Sequence, residues 1–203
     1  MNQIRQFSFK EFWLCALLST VVFFAFAPLY RDNSILHDTM DMIGALLIAI
    51  GAIGRFFSKF YFYRDQISTQ GPYSIVRHPK CLMAYIAMIG LSIISARIQL
   101  MIFLPIMAGV IFTYIINRQE NLMILIYGDE FREYQKKVPR VIPNFSKYEK
   151  GSPRRLDKNE LLMAILELLF WFGTGLLLEG LEVLGFSINS TLNLTINCLK
   201  AMK

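Results

Sequence analysis

Long apolar runs separated by short polar segments dominate this chain. A membrane-crossing helix needs roughly 17–25 mainly apolar residues, and the apolar runs of this chain lie at 13–29, 42–62, 82–95, 100–116 and 161–186. The third run is short, and only residues 96–99 separate it from the fourth, which predicts a tight antiparallel hairpin. The fifth run contains Glu167, Glu179 and Glu182, so it either spans the membrane or lies along its surface. The pattern predicts an all-α fold, a polytopic membrane bundle of four or five transmembrane helices.

Composition agrees with a membrane protein of one compact unit. Hydrophobic residues make up 55% of the 203 residues, against about 45–50% in soluble domains. The net charge of +6 does not indicate a nucleic-acid partner, because the basic residues cluster in segments next to the apolar runs. The three cysteines form no Cys-x-x-Cys pair, which argues against a zinc or redox motif. We therefore expect no metal site and no nucleic-acid binding.

The distribution of lysine and arginine predicts the orientation in the membrane. Most of the 21 basic residues fall at the N-terminus, in the 64–80 loop and in the 118–158 segment. The order of the apolar runs places these three parts on the same side of the membrane. Cytoplasmic loops carry such an excess of positive charge. The N-terminus and both segments are therefore expected to face the cytoplasm, where the two segments can meet.

The 118–158 segment divides into a helix and a long connection. Residues 118–137 have a loose apolar face that predicts a helix, and Gly128 is the place where it should kink. Residues 138–143 are expected to be extended because two prolines interrupt them. The resulting domain division is an N-terminal helix and outer loop (1–41), a membrane core (42–146), a basic linker (147–160) and an additional hydrophobic helix and tail (161–203).

A turn-rich polar segment at 71–79 is the strongest candidate for chemistry. It contains Gly71-Pro72, which breaks a helix, and His78 is kept from helical geometry by Pro79. Irregular backbone near hydrocarbon is costly unless it lines a polar cavity. Arg77 and His78 are therefore predicted to serve a charged ligand.

Other charged residues are candidates for the same site. Glu120 returns to the side of the 71–79 segment, where its carboxylate could hold an ammonium group. Arg55 and Lys59 share one helical face, and they either reach toward lipid headgroups or line the polar site. The second histidine, His37, occurs among aspartates and is interpreted as part of a solvated outer loop.

Taken in order, these residues resemble a known family. The matching pieces, which cover about residues 45–145, are Gly71-Pro72-Tyr73, Arg77-His78-Pro79, Glu120, Tyr127-Gly128-Asp129-Glu130-Phe131, Tyr134, Val138-Pro139-Arg140 and Pro143. They are similar to the integral-membrane methyltransferases of the isoprenylcysteine carboxyl methyltransferase and phospholipid methyltransferase group, especially its small prokaryotic members.

The resemblance implies a cytoplasmic S-adenosylmethionine pocket, capped by a C-terminal helix and loop. It also implies a tunnel from the bilayer that admits a lipidic or isoprenoid acceptor with a carboxylate or amine. The residues that would contact the cofactor by this resemblance are Asp65, Gln66, Ile67, Ser68, Tyr73, His78, Pro79, Lys80, Cys81, Gln119 and Glu120. The charges of the cofactor add Arg77, since Arg77 or His78 can meet its carboxylate.

Three positions depart from the family pattern. Cys81 replaces a tyrosine, Gln119 replaces an acid, and Ile115 replaces the arginine that holds a substrate carboxylate. The basic residues that could replace this arginine are Arg55, Lys137 and Arg140, of which Arg55 and Arg140 are taken as the predicted catalytic residues. Two alternatives stay open: an NADPH-dependent membrane reductase of the sterol type, which has a related His-Pro loop, and a degenerate, non-enzymatic binding protein.

Overall fold

The fold is known from a computed structural model that describes residues 35–63, 65–95 and 97–201, with side chains to residue 180. Helices form all of the regular structure within these ranges. The α-helices are α1 (Ile35–Lys59), α2 (Pro72–Ile75), α3 (Pro79–Ile94), α4 (Ile98–Tyr127), α5 (Asp129–Lys137) and α6 (Lys158–Ala201), and Phe145–Lys147 form a 3-10 turn. The predicted helix at 13–29 lies outside the described residues.

The helical lengths confirm a membrane bundle. Ile35–Lys59, Ile98–Tyr127 and Lys158–Gly180 are each long and apolar enough to cross a bilayer, and α3 is a shorter apolar helix. The boundaries differ from the prediction, since α1 begins seven residues earlier and the division at residues 41 and 42 falls inside it. The last helix continues past the predicted end of its apolar run to Ala201.

The interpretation of His37 as a loop residue is wrong. Residues 35–41 already belong to α1, and His37 is only 9% exposed. Its Nδ1 atom lies 2.7 Å from Asp41 Oδ2, one helical turn along. The aspartates suggested a solvated loop. In a helix, however, side chains at i and i+4 are neighbours, so His37 and Asp41 can pair within the first turns of α1.

Glycines bring α1 and α3 close together. A Cβ atom on Gly51 would lie 2.5 Å from the Met83 carbonyl oxygen, and one on Gly90 would lie 2.6 Å from the Gly44 carbonyl oxygen. Small residues allow such backbone approach between membrane helices. Because Gly44 faces Gly90 and Gly51 faces Met83, the two helices run antiparallel.

The predicted hairpin between α3 and α4 is confirmed. Residues 95–97 connect the helices, and the Tyr85 and Phe112 rings pack edge to face far from this connection, with centroids 6.3 Å apart. The core between α1, α3, α4 and α6 is made of Ile48, Ala52, Ala84, Ala87, Met88, Leu91, Ile94, Leu100, Leu104, Ala108 and Trp171.

One end of the bundle carries the loop between α1 and α3 and the segments that follow α4. The predicted kink at Gly128 is confirmed as a complete break, because this residue adopts φ +55° and separates α4 from α5. Of the predicted apolar face of residues 118–137, Phe131 and Tyr134 on α5 are buried, whereas Leu125 and Ile126 are exposed. The chain beyond α5 then crosses the 60–77 region, where Asn144 N donates to the Ile75 carbonyl oxygen at 3.0 Å.

Candidate functional site

The loop between α1 and α3 is shaped by glycine and proline. Gly71 adopts φ +60°, and a Cβ atom there would lie 2.4 Å from Tyr61 Cδ1. Pro72 starts the single turn of α2, and His78 precedes Pro79 at the start of α3. The Arg77 N–H donates to the Pro139 carbonyl oxygen at 2.9 Å, so the segment after α5 holds the loop in place. This segment is bent at residues 140–142 and is therefore not extended throughout, contrary to the prediction from its prolines.

Glu120 is the centre of a cluster that these elements build. Its side chain is 11% exposed and lies on α4, about two turns before Gly128. Arg77 Nη1 donates to Glu120 Oε1 at 2.7 Å, and His78 Nε2 lies 3.0 Å from the same oxygen. Arg140 Nη2 lies 3.3 Å from Oε2. We call Arg77, His78, Glu120 and Arg140 the Glu120 cluster.

Gln135 and Asn117 complete the surroundings of this cluster, and sequence reasoning missed both. Gln135 Nε2 donates to Glu120 Oε2 at 3.4 Å, and Arg140 Nη2 donates to Asn117 Oδ1. A signal for Asn117 was present in the sequence, since it precedes Glu120 by three residues on the same helix and therefore shares its face. The approach of Gln135 to Glu120 depends on how α5 folds back after Gly128, which the sequence does not show.

The Glu120 cluster has spare hydrogen-bond donors. Two guanidinium groups and one imidazole surround a single carboxylate, so the cluster carries more positive than negative charge. Arg77 Nε and Arg140 Nε are buried and make no hydrogen bond to the described part of the chain. Buried donors normally have partners, so these atoms are suited to an anionic group of a ligand.

A cavity of about 520 Å³ opens beside the cluster. Arg77 reaches it from the loop, while α5 and the following segment supply the other walls. The remaining lining residues are Gln135, Lys136, Lys137, Val138, Pro139, Ile142, Pro143, Asn144, Phe145 and Lys147. Its volume lies in the range of roughly 300–1,000 Å³ that is usual for small-molecule sites.

Asp65 and Gln66 line a different cavity, of about 420 Å³. Its opposite wall is the pair of Arg154 and Glu160, which form two hydrogen bonds of 2.9 and 3.0 Å. Arg154 N donates to the Phe60 carbonyl oxygen at 2.8 Å, which fixes this wall against the end of α1. The structure therefore brings Arg77, His78 and Glu120 together but places Asp65 and Gln66 at a second opening.

Several predicted cofactor contacts occupy structural positions. Ile67 is buried in a small cluster with Phe131, Tyr134 and Val138. Ser68 Oγ accepts a hydrogen bond from the Tyr63 N–H at 2.8 Å. Pro79 is fully buried, Cys81 is a partly buried free thiol, and Gln119 is half-buried.

Tyr73 is buried between the loop and α5. Tyr134 Oη donates to the Tyr73 carbonyl oxygen at 2.7 Å, and the Tyr73 ring packs on Phe62. Burial raises the pKa of both phenols, so both keep their protons at neutral pH. Tyr73 lines neither of the two cavities described above.

Arg55 lies outside the Glu120 cluster. Its Nε donates to Glu167 Oε1 on α6, and its Nη1 donates to the Lys80 carbonyl oxygen at 2.9 Å. Lys59 also pairs with Glu167. Sequence reasoning placed Arg55 and Lys59 on one face but did not find Glu167 as their partner, because nothing in the sequence gives the register between two distant helices.

The family comparison agrees with the part of the chain that builds the loop and the Glu120 cluster. Residues 42–130 match the model of the phospholipid methyltransferase family. This segment belongs to that family. It contains α1 from residue 42, the loop with Arg77 and His78, α3, α4 with Glu120, and the start of α5, whereas Arg140 and α6 lie beyond the match.

Curated relatives of this chain have low identity. It is 19% identical to the nickel-cobalt-cadmium resistance protein NccN of Alcaligenes xylosoxydans xylosoxydans, over 75% of this chain and 72% of the relative. It is 20% identical to the cobalt-zinc-cadmium resistance protein CzcN of Cupriavidus metallidurans, over 75% of this chain and 71% of the relative. No solved structure matches. Among the described residues, no group of three or more His, Cys, Asp or Glu side chains is arranged to hold a metal ion.

Proposed function

We propose that this protein is an integral membrane methyltransferase that uses S-adenosylmethionine and methylates a lipidic acceptor. The observation that carries the proposal is the Glu120 cluster, which unites Arg77, His78 and Glu120 from two parts of the family segment. Arg77 is the member of the cluster that lines a cavity of suitable volume at the polar end of the bundle.

The donor set fits the methionine end of the cofactor, which carries an ammonium and a carboxylate. The Glu120 carboxylate would hold the ammonium group. The unpartnered Nε atoms of Arg77 and Arg140 would hold the carboxylate, through the charge-assisted hydrogen bonds that guanidinium groups form well. On binding, ion pairs between Glu120 and its arginines would be replaced by ion pairs to the ligand, so each charged group would keep a partner of opposite charge.

The cofactor supplies a methyl group on a positively charged sulfur. The protein has to align the acceptor with that methyl group and keep water away. We assign this covering role to α5 and the segment after it, because they form most of the cavity wall and are fastened to the loop through Arg77 N and the Pro139 carbonyl. Arg140 and Arg55 stay our candidates for orienting the acceptor.

Calorimetry with S-adenosylhomocysteine tests the proposal on the purified full chain. We expect the wild type to bind and Glu120→Gln to bind at least about tenfold more weakly, since a hydrogen bond to a charged group contributes about 1.5–3 kcal/mol. Glu130→Gln is the matched control, because Glu130 is an exposed carboxylate on α5, and it should bind within about twofold of the wild type.

A second variant tests the proposal independently, in case Glu120→Gln does not fold. Arg140 is 36% exposed, so Arg140→Gln should fold and still weaken binding. No binding by a folded wild type would overturn the proposal. NADPH that raises the thermal midpoint, where S-adenosylmethionine does not, would favour the reductase instead. A lipid extract with labelled S-adenosylmethionine then identifies the methylated product by mass.

A further inference from the structure

A second charged cluster lies between α1, α3 and α6, away from the Glu120 cluster. Arg55 and Lys59 from α1 both pair with Glu167 from α6. Lys80 at the start of α3 joins them through its carbonyl oxygen, which accepts from Arg55 Nη1. The positive charges of Arg55 and Lys59 oppose a charge on the Lys80 amine. We call Arg55, Lys59, Lys80 and Glu167 the Glu167 cluster.

The charges of the Glu167 cluster do not balance. Three basic side chains share one carboxylate, and the nearby Arg154 is already paired with Glu160. None of the ion pairs in the described part of the chain neutralises Lys80, whose Nζ instead lies 3.7 Å from the centre of the Phe62 ring. A cation on an aromatic face is only partly compensated, so the cluster keeps an excess of positive charge.

The location of the Glu167 cluster selects the kind of anion. Arg55 lies about 6 Å inside the end of α1, so the Glu167 cluster sits close to the polar end of the bundle. The paired side chains are 19–26% exposed, so the cluster is not sealed. Basic pockets between membrane helices at this depth are suited to anionic lipid headgroups.

Glu167 has a separate role in this cluster. It comes from α6, beyond the segment that matches the family, and it bridges two cations at once. A carboxylate in this position occupies the place that a headgroup phosphate or carboxylate would take. It therefore offsets the desolvation penalty of the buried positive charges. It also competes with any membrane anion for the same cations.

We propose that the Glu167 cluster binds the anionic headgroup of a membrane lipid, and that Glu167 is a built-in competitor for this site. Lys80 and Lys59 contact the headgroup, while Arg55 anchors both the lipid and α6. If the bound lipid is also the methyl acceptor, the inference deepens the proposed function. The binding test needs no methyl donor, so the two proposals fail independently.

Native mass spectrometry of the full chain, released from nanodiscs of phosphatidylcholine with phosphatidylglycerol, measures the lipid that stays bound. We expect the wild type to retain phosphatidylglycerol preferentially. Lys80→Gln should lower this retention about fivefold, the effect of one basic residue near a membrane surface. Lys150→Gln, at an exposed lysine outside the cluster, should stay within about twofold of the wild type.

The Glu167 variant tests the competition. Glu167→Gln should raise retention of phosphatidylglycerol about fivefold, whereas Glu179→Gln, the same change at an exposed position on the same helix, should not. Equal retention by Lys80→Gln and Lys150→Gln, or lower retention by a folded Glu167→Gln, overturns the proposal. Inorganic phosphate that stabilises the protein in phosphatidylcholine alone, as well as phosphatidylglycerol does, assigns the site to a free anion and overturns the lipid assignment.

Discussion

Buried charge at single residues organises the polar end of this bundle. Glu120 is compensated by charged groups from two separate parts of the chain, and an uncompensated carboxylate at that depth would be costly. The pairing of Glu120 with His78 follows from the predicted topology, which put the 71–79 loop and the end of α4 on one side. The contributions of Gln135 and Asn117 depend on side-chain geometry, which only the folded structure defines.

Tyr134→Phe is expected to lower the free energy of unfolding by about 1 kcal/mol at pH 8, because it removes the hydrogen bond to the Tyr73 carbonyl. Burial raises the pKa of Tyr134 above its ordinary value of 10.0. The folded state then holds this proton more tightly than the unfolded chain, so the contribution is complete below about pH 10 and is lost as pH rises further.

Denaturation in detergent between pH 8 and pH 11 measures both effects. The wild type should lose stability more steeply above pH 10 than Tyr134→Phe does. Tyr148→Phe is the control, because Tyr148 is 53% exposed, and it should behave like the wild type. Parallel curves for the wild type and Tyr134→Phe across this range would contradict the assignment of this phenol.

At the scale of elements, two glycines mark helix boundaries: Gly71 precedes α2, and Gly128 separates α4 from α5. Gly71 and Gly128 both have positive φ values, which other residues adopt only with strain. Gly128 was recognisable in the sequence as the weak point of the 118–137 helix. The close approach of Gly71 to Tyr61 was not, because it requires the loop to fold back on the end of α1.

Gly71→Ala is expected to destabilise the protein more than Gly128→Ala. Both changes place a side chain at positive φ, at a cost of about 1–3 kcal/mol. Gly71→Ala also forces a methyl group onto the Tyr61 ring, whereas a Cβ atom on Gly128 meets nothing within 4 Å. Thermal unfolding midpoints in detergent should therefore fall in the order wild type, Gly128→Ala, Gly71→Ala.

The control for this series is Gly173→Ala on α6. A Cβ atom there also meets nothing within 4 Å, and the residue lies inside a helix. Its midpoint should equal or exceed that of the wild type, since glycine is a poor helix former. A Gly71→Ala protein as stable as Gly173→Ala would show that the loop does not need this backbone conformation.

At the scale of the whole molecule, the antiparallel helices bring distant polar segments to one end. The 60–79 loop, the end of α4, α5 and the segment before α6 meet there, and hydrogen bonds such as Gly71 N to the Glu149 carbonyl oxygen at 2.9 Å join them. The concentration of basic residues in these segments led us to place this end in the cytoplasm.

Cysteine labelling tests this orientation in intact cells. A protein whose own cysteines are replaced by serine receives a single cysteine at Ser152 or at Gln99, which are exposed at opposite ends of the bundle. An impermeant maleimide should label Gln99→Cys before lysis and Ser152→Cys only after lysis. The reverse pattern would mean that the proposed cofactor site faces away from the cytoplasm.

The sequence by itself determined the properties that depend on local chemistry. Apolar runs of sufficient length predict membrane helices, a four-residue gap predicts the hairpin between α3 and α4, and Gly128 predicts the break before α5. The tertiary structure decided the partners of the buried charges. Glu167 pairs with Arg55 because the register between α6 and α1 brings them together, and His37 is buried because α1 starts earlier than its polar residues suggest. Such contacts depend on how distant helices pack, and packing is set by the summed fit of many side chains rather than by any local pattern.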